Sequence, residues 1–391
     1  MSLSGLTGIP IPGPGDGPPS GFPHFPAGLL VMGGPGWLTR GMGDLASSMV
    51  TTDRLEMHVW TGGPADGVPL LLVHGNMVTG GWWRYVAERL PGDVRVIAPD
   101  LRGFGRTEGR PVDATRGLSD MADDLRSLLV TLGLADRASV NAAGWSMGGG
   151  VLWQYALACP GDLASLTMIA PLSPYGFGGT KGTDGQPCFA DFAATGGGTA
   201  APGVYQRFAA GDRSEDEPQT SPRVTMRQFF GPRGNAGHVD EEFLLDEVLR
   251  TRTGDDFSPG DAAASPNWPG VAPGARGVLN AMSPKWYNAS AFAGLARKPP
   301  VTWLRGGQDQ VVSDTSMFDL GYLGQLGAVP GWPGDDVLPP QPMEAQTRAV
   351  LDAYRAGGGV AEEVVLADAA HGMPVEVPEQ VAAVIAARLV P

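Results

Sequence analysis

Residues 142–150, Ala142-Ala143-Gly144-Trp145-Ser146-Met147-Gly148-Gly149-Gly150, lie between a strand-type run, Arg137-Ala138-Ser139-Val140-Asn141, and an apolar helical pattern, Val151-Leu152-Trp153-Gln154-Tyr155-Ala156-Leu157-Ala158. Gly-x-Ser-x-Gly between a strand and a helix is the setting of a nucleophile elbow, a sharp turn that holds a serine hydroxyl clear of the backbone. Small residues two before and two after Ser146 suit such a turn, because its backbone is strained and neighbouring segments approach closely. Glycine costs a helix about 1 kcal/mol relative to alanine, so the run Gly148 to Gly150 points to tight packing of helix on strand. The free N–H groups and dipole at the helix head favour negative charge developing there. A flexible Gly/Ser turn is the alternative, and the flanks argue against it.

Outward from this stretch, strands and helices alternate. Leu55-Glu56-Met57-His58-Val59-Trp60 alternates as a strand does, and the continuous apolar run Val68-Pro69-Leu70-Leu71-Leu72-Val73 fits a strand buried on both faces of a parallel sheet. That run ends in His74-Gly75-Asn76-Met77, and a helical stretch with Trp82, Trp83, Tyr85, Val86 and Leu90 follows. A further buried strand, Val94-Arg95-Val96-Ile97-Ala98, leads into Pro99-Asp100-Leu101-Arg102-Gly103-Phe104-Gly105, and a helix opened by Ser119 as N-cap comes next. Beyond the elbow helix, Leu163 to Ala170 reads as a strand. The rhythm resumes at Pro300-Val301-Thr302-Trp303-Leu304-Arg305, then Gly306-Gly307-Gln308-Asp309. After a helix at Pro342 to Ala356, the last strand, Glu362 to Leu366, leads to Ala369-Ala370-His371-Gly372-Met373, and a helix near Pro378 to Leu389 closes the pattern. This predicts an α/β fold with a doubly wound, mostly parallel sheet.

Two regions fall outside the rhythm. Residues 1–52 are rich in Gly and Pro and read as an irregular arm, with an apolar part around Phe22 to Met32 that includes His24. Residues 172–299 hold many Gly, Pro, Trp and Phe and one amphipathic helix near His238 to Thr251. Structureless connections beyond about 15 residues are uncommon, so this insertion is expected to be a lid over a core made of 53–171 and 300–391. A second Gly/Pro-rich insertion spans about 318–342.

A net charge of −14 leaves no basic stripe for nucleic acid or an anionic membrane. No apolar run reaches the roughly 18–20 residues that span a bilayer. The first basic residue is Arg40 and prolines break the N-terminal apolar stretch, which argues against a secretory signal and predicts a cytoplasmic protein. Cys159 and Cys188 are the only cysteines, so there is neither a disulfide framework nor a CxxC metal spacing. The expected partner is a small molecule, with no metal or cofactor and with a homodimer left open.

A serine hydroxyl needs an imidazole to take its proton and a carboxylate to orient that imidazole. Of five histidines, His24 lies in the arm, His58 in a strand, His238 in the lid, and His74 in a loop-shaping His-Gly. His371 follows the last strand, at the edge where loops of a parallel sheet collect ligands, and is the candidate base. Asp309 is the candidate carboxylate, ahead of Asp314 and Asp184. Oxyanion donors are expected from the amide of Met147 and from Asn76 or, second, Met77. Trp145, Met77 and Trp82 are expected at the substrate pocket, and the lid's Trp268, Trp286, Tyr287 and Phe292 are further candidates.

Taken in order, Val73-His74-Gly75-Asn76, Ala98-Pro99-Asp100-Leu101-Arg102-Gly103-Phe104-Gly105, Gly144-Trp145-Ser146-Met147-Gly148-Gly149, Asp309 and His371 resemble the α/β-hydrolase-fold superfamily. The resemblance covers roughly residues 53–171 and 300–390. It implies that Asp100 and Arg102 belong to a structural loop. A serine nucleophile points away from haloalkane dehalogenases and soluble epoxide hydrolases, which carry aspartate there, and from dienelactone hydrolases, which carry cysteine. The implied activity is cofactor-free hydrolysis of a carboxylic ester or lactone with a fairly hydrophobic body, through a Ser-His-Asp triad. A carbon–carbon bond hydrolase or amidase with the same triad, or a hydrolase-like binding protein, are the alternatives.

Overall fold

The structure, a computed structural model, describes residues 45–231 and 237–391. The expected arm lies outside the described residues as far as 44, His24 included, and its last residues need a correction. Ala46–Thr51 form an edge strand, β1, antiparallel to β2 (Glu56–Gly62). Five of its six residues are exposed, so no buried face imposed the alternation that would have marked it in the sequence.

Six more strands complete one sheet: β3 (Val68–Val73), β4 (Val94–Pro99), β5 (Val140–Trp145), β6 (Leu163–Ile169), β7 (Val301–Gly306) and β8 (Ala361–Leu366). Their order is β1-β2-β4-β3-β5-β6-β7-β8, and β3 to β8 pair in parallel. The longer helices are α1 (Ser119–Thr131), α2 (Met147–Ala158), α3 (Pro202–Ala209), α4 (Glu241–Val248), α5 (Met343–Ala356) and α6 (Pro378–Ala386). The elbow strand runs three residues later than its β-branched signal suggests and ends at Trp145. Its alanines and Gly144 pair with β3 on one side and β6 on the other, so tertiary pairing overrides weak local propensity.

Both faces of the sheet are covered. Leu71, Val73 and Ala142 pack with Leu125 and Leu128 of α1 and Val151 and Leu152 of α2. Leu70, Leu72, Ala143 and Trp145 point the other way, into a cluster with Val381 and Ile385 of α6. The period of two in a strand produces this division. Residues of the 172–299 insertion join both clusters: Val278, Tyr287 and Phe292 the first, and Phe208, Leu244 and Val248 the second.

The loops behind the site are locked by buried polar groups. His74 Nδ1 lies 2.7 Å from the Gly75 carbonyl, and its Nε2 accepts from the Leu101 amide at 2.8 Å, so the imidazole is a neutral tie between the β3 and β4 loops. Burial lowers its pKa to about 4, against the opposing pull of Asp100. Asp100 bonds His58 Nδ1 at 2.8 Å and accepts from Trp60 Nε1 and the amides of Gly80 and Arg106. Arg102 makes a bidentate pair with Asp124. Asp100 and Arg102 are therefore structural.

A methyl group on Gly148 would lie 2.2 Å from the Val73 carbonyl oxygen, so Gly148→Ala is expected to destabilise the fold by roughly 1–3 kcal/mol in urea titrations. His74 supplies a pH dependence. Its folded pKa is depressed, so as pH falls below about 6.5 the unfolded chain gains a proton that the folded chain refuses until about 4. The stability linked to this group is complete above the upper value and is lost across that window, by about 3 kcal/mol. Unfolding free energies at neutral and mildly acid pH should show a shallower slope in His74→Asn.

Candidate active site

The parallel register brings the functional loops to one edge of the sheet. Val73 pairs with Gly144, Trp145 with Ile169, and Gly306 with Leu366, so β3, β5, β6, β7 and β8 end close to level. Ser146 stands directly after β5 with φ 57° and ψ −120°. A non-glycine residue tolerates this region only when its surroundings hold it there. Here its N–H donates to the Ile169 carbonyl at 2.9 Å, and its carbonyl accepts from the Leu172 and Gly150 amides at 3.0 and 3.2 Å.

Around this serine the other loops close in. A methyl on Gly75 would lie 3.2 Å from Ser146 Cβ, which puts the His-Gly-Asn-Met loop against Ser146. In that loop Met77 has a positive φ of 62°, and the Asn76 side-chain oxygen is buried without a hydrogen-bond partner. Met147 is the first residue of α2, so its N–H has no intrahelical acceptor.

His371 and Asp309 meet as expected. His371 Nδ1 lies 2.8 Å from Asp309 Oδ2, and both residues are buried. The second carboxylate oxygen accepts from the Val311 and Val312 amides at 2.7 and 3.0 Å, so the whole group is immobilised. Gly306 lets the two loops touch, since a Cβ there would sit 2.4 Å from the Ala369 carbonyl oxygen. The other carboxylates considered are engaged elsewhere. Asp314 accepts from the Glu344 and Ala345 amides at the start of α5, and Asp184 pairs with Gln186.

Ser146, His371, Asn76, Met77, Trp145 and Met147 all line one cavity of about 700 Å³, measured with its open mouth. Trp145 also performs a task its sequence position does not reveal. Its Nε1 donates to the His371 carbonyl at 2.8 Å and its ring lies 5.5 Å from the imidazole, so the residue before Ser146 holds the histidine loop. Trp82 requires a correction. It stacks on Trp145 at 5.8 Å, is buried in the core cluster on that face of the sheet and is not among the residues that line the cavity.

The lid aromatics also differ from expectation. Tyr287 donates to the Gly150 carbonyl, Trp286 to Gly274 and Trp268 to Pro330, while Phe292 stacks on Tyr354 at 4.8 Å. The cavity wall is instead built from Phe177, Tyr205, Phe230 and Met282 of the insertion and from Phe318. No Asp, Glu, Lys or Arg among the described residues lines it. Among the described residues no group of His, Cys, Asp and Glu is arranged to hold a metal ion, and no helix is long and apolar enough to cross a membrane.

Comparisons with known proteins agree with this architecture. A family profile described as alpha/beta hydrolase fold matches residues 68–185. A monoacylglycerol lipase of Mycolicibacterium smegmatis is 31% identical over 30% of this chain and 42% of its own length. A pimeloyl-[acyl-carrier protein] methyl ester esterase of Pectobacterium carotovorum is 30% identical over 49% of this chain and 63% of its own. The matched segments thus cover less than two thirds of either relative. An esterase from Exiguobacterium antarcticum superposes with a TM-score of 0.53 at 15% identity, covering 88% of this chain and 99% of the other. A membrane phospholipase A gives the same TM-score at 18% identity over 88% of this chain and 86% of its own. The sheet order, the elbow and these likenesses together show that the chain has the α/β-hydrolase fold.

Proposed function

We propose that the protein is a serine hydrolase of carboxylic esters or lactones with a neutral, fairly hydrophobic body. The observation that carries the reading is the buried His371–Asp309 pair at 2.8 Å opening onto the same cavity as the strained Ser146. Ser146 Oγ attacks the carbonyl carbon while His371 Nε2 takes its proton. Asp309 fixes the tautomer by accepting from Nδ1 and stabilises the imidazolium. The amides of Met147 and Asn76 receive the oxyanion, where each donor is worth about 2.7–4 kcal/mol. The alkoxide leaves with the proton from His371, and a water activated by the same imidazole releases the acid from the acyl-enzyme. The named activities of the esterase and lipase relatives support this class.

Two substitutions test it. Ser146→Ala should lower kcat on p-nitrophenyl esters by about 10⁴-fold or more without loss of folding; a rate close to that of the parent protein would remove the mechanism. Trp145→Phe keeps an aromatic side chain, though a smaller one, and deletes the donor to the His371 carbonyl. Its kcat should fall about 5- to 10-fold, the worth of roughly one hydrogen bond, and an unaltered kcat would show that the tie does not position the base.

A further inference from the structure

Beyond the nucleophile the cavity is apolar, with Phe177, Phe230, Met282 and Phe318 in its wall. Tyr205, in the middle of α3, breaks this pattern. Burial pushes its phenol pKa up, so the group is a neutral donor at physiological pH. Four other described tyrosines have phenols raised in the same way, and each hydroxyl is hydrogen-bonded. Tyr85 accepts from the Asp240 amide, Tyr155 donates to Asp162, Tyr287 to Gly150 and Tyr354 to Pro299. Enclosed tyrosine hydroxyls ordinarily find such partners. Tyr205 has none among the described residues, and its hydroxyl is not one of the enclosed unpaired polar atoms, so it is open to the cavity space. Its side chain is half-buried and lines the space a substrate would fill.

We propose that the Tyr205 hydroxyl is a specificity determinant that donates a hydrogen bond to a second, uncharged oxygen of the substrate. The preferred substrates are then apolar esters carrying a ketone or ether oxygen remote from the scissile carbonyl. When an apolar chain fills the cavity, the hydroxyl loses water and gains nothing in return. A site with such an unpaired donor discriminates against analogues lacking the acceptor. The absence of charged groups among the described lining residues favours a neutral acceptor over a carboxylate.

The claim about turnover rests on the ester-hydrolase reading, whereas the claim about binding does not, and the experiment separates them. p-Nitrophenyl octanoate and its 4-, 5-, 6- and 7-oxo derivatives are assayed with the parent protein and with Tyr205→Phe. Tyr205→Phe should reduce kcat/KM at least about 10-fold more for one oxo ester than for octanoate, a coupling expected only between groups in contact. In parallel, Kd values for 2-octanone and the isomeric octanediones are measured by tryptophan fluorescence, and the same selective loss should appear. Equal effects of the substitution across both series overturn the proposal. Absence of ester turnover combined with selective diketone binding overturns the ester reading alone. Because the hydroxyl has no described internal partner, Tyr205→Phe should keep or raise Tm. A clear fall would reveal an internal partner and also overturn the assignment.

Discussion

The structure depends on the backbone of a single residue. Ser146 sits at φ 57°, a conformation that costs on the order of 1–3 kcal/mol for a side chain with a Cβ. Three hydrogen bonds to Ile169, Leu172 and Gly150 hold it there, linking the serine to β6, to the chain leaving β6 and to the helix it starts. Close approach is the companion requirement. Only a residue without a Cβ fits at 148, where α2 presses on the end of β3. Strain at the serine is thus sustained by the packing of the central strands, and the same packing levels the strand ends so that Asp309 and His371 arrive at one edge.

A buried histidine–aspartate pair alone does not identify a site. His58–Asp100 and His371–Asp309 have the same 2.8 Å separation and both are buried. They differ in what surrounds them. Asp100 also takes Trp60 and two backbone amides, and its histidine borders no described wall of the large cavity, so the pair serves to fasten β2 to the loop after β4. His371 opens onto the cavity that Ser146 also lines. The same hydrogen bond thus serves two settings, and what separates them is access to the cavity.

The sequence made the central strands, the elbow and the meeting of Asp309 with His371 legible, because buried parallel strands leave continuous apolar runs and the candidate-site residues follow them in the loops. Features set by direction or by distant partners were not legible. β1 has no buried face and hence no alternation. Trp82 and Trp83 are adjacent and alike in sequence, and a single 3-10 turn decides where each ring goes. Tyr205 of the insertion and Phe318 beyond it reach the cavity, while Trp268, Trp286, Tyr287 and Phe292 do not. Irregular chain carries no period from which side-chain direction can be read.

The insertion is packed into the core on both faces of the sheet. Phe208, Leu244 and Val248 are buried in the same cluster as Trp145 and the sheet, and Tyr287 and Phe292 are buried on the opposite face against α2 and α5. Polar ties add to this: Glu247 of α4 is buried and receives the Thr79 hydroxyl beside the nucleophile loop. Fully exposing one large apolar side chain costs about 1.5–3 kcal/mol, so exposing these five together would cost on the order of 10 kcal/mol, comparable with a domain's usual total stability of about 5–15 kcal/mol. The inner face of the insertion, with Phe177, Tyr205, Phe230 and Met282 on the cavity, is thereby held by the same apolar packing that fastens its outer residues to the two faces of the sheet.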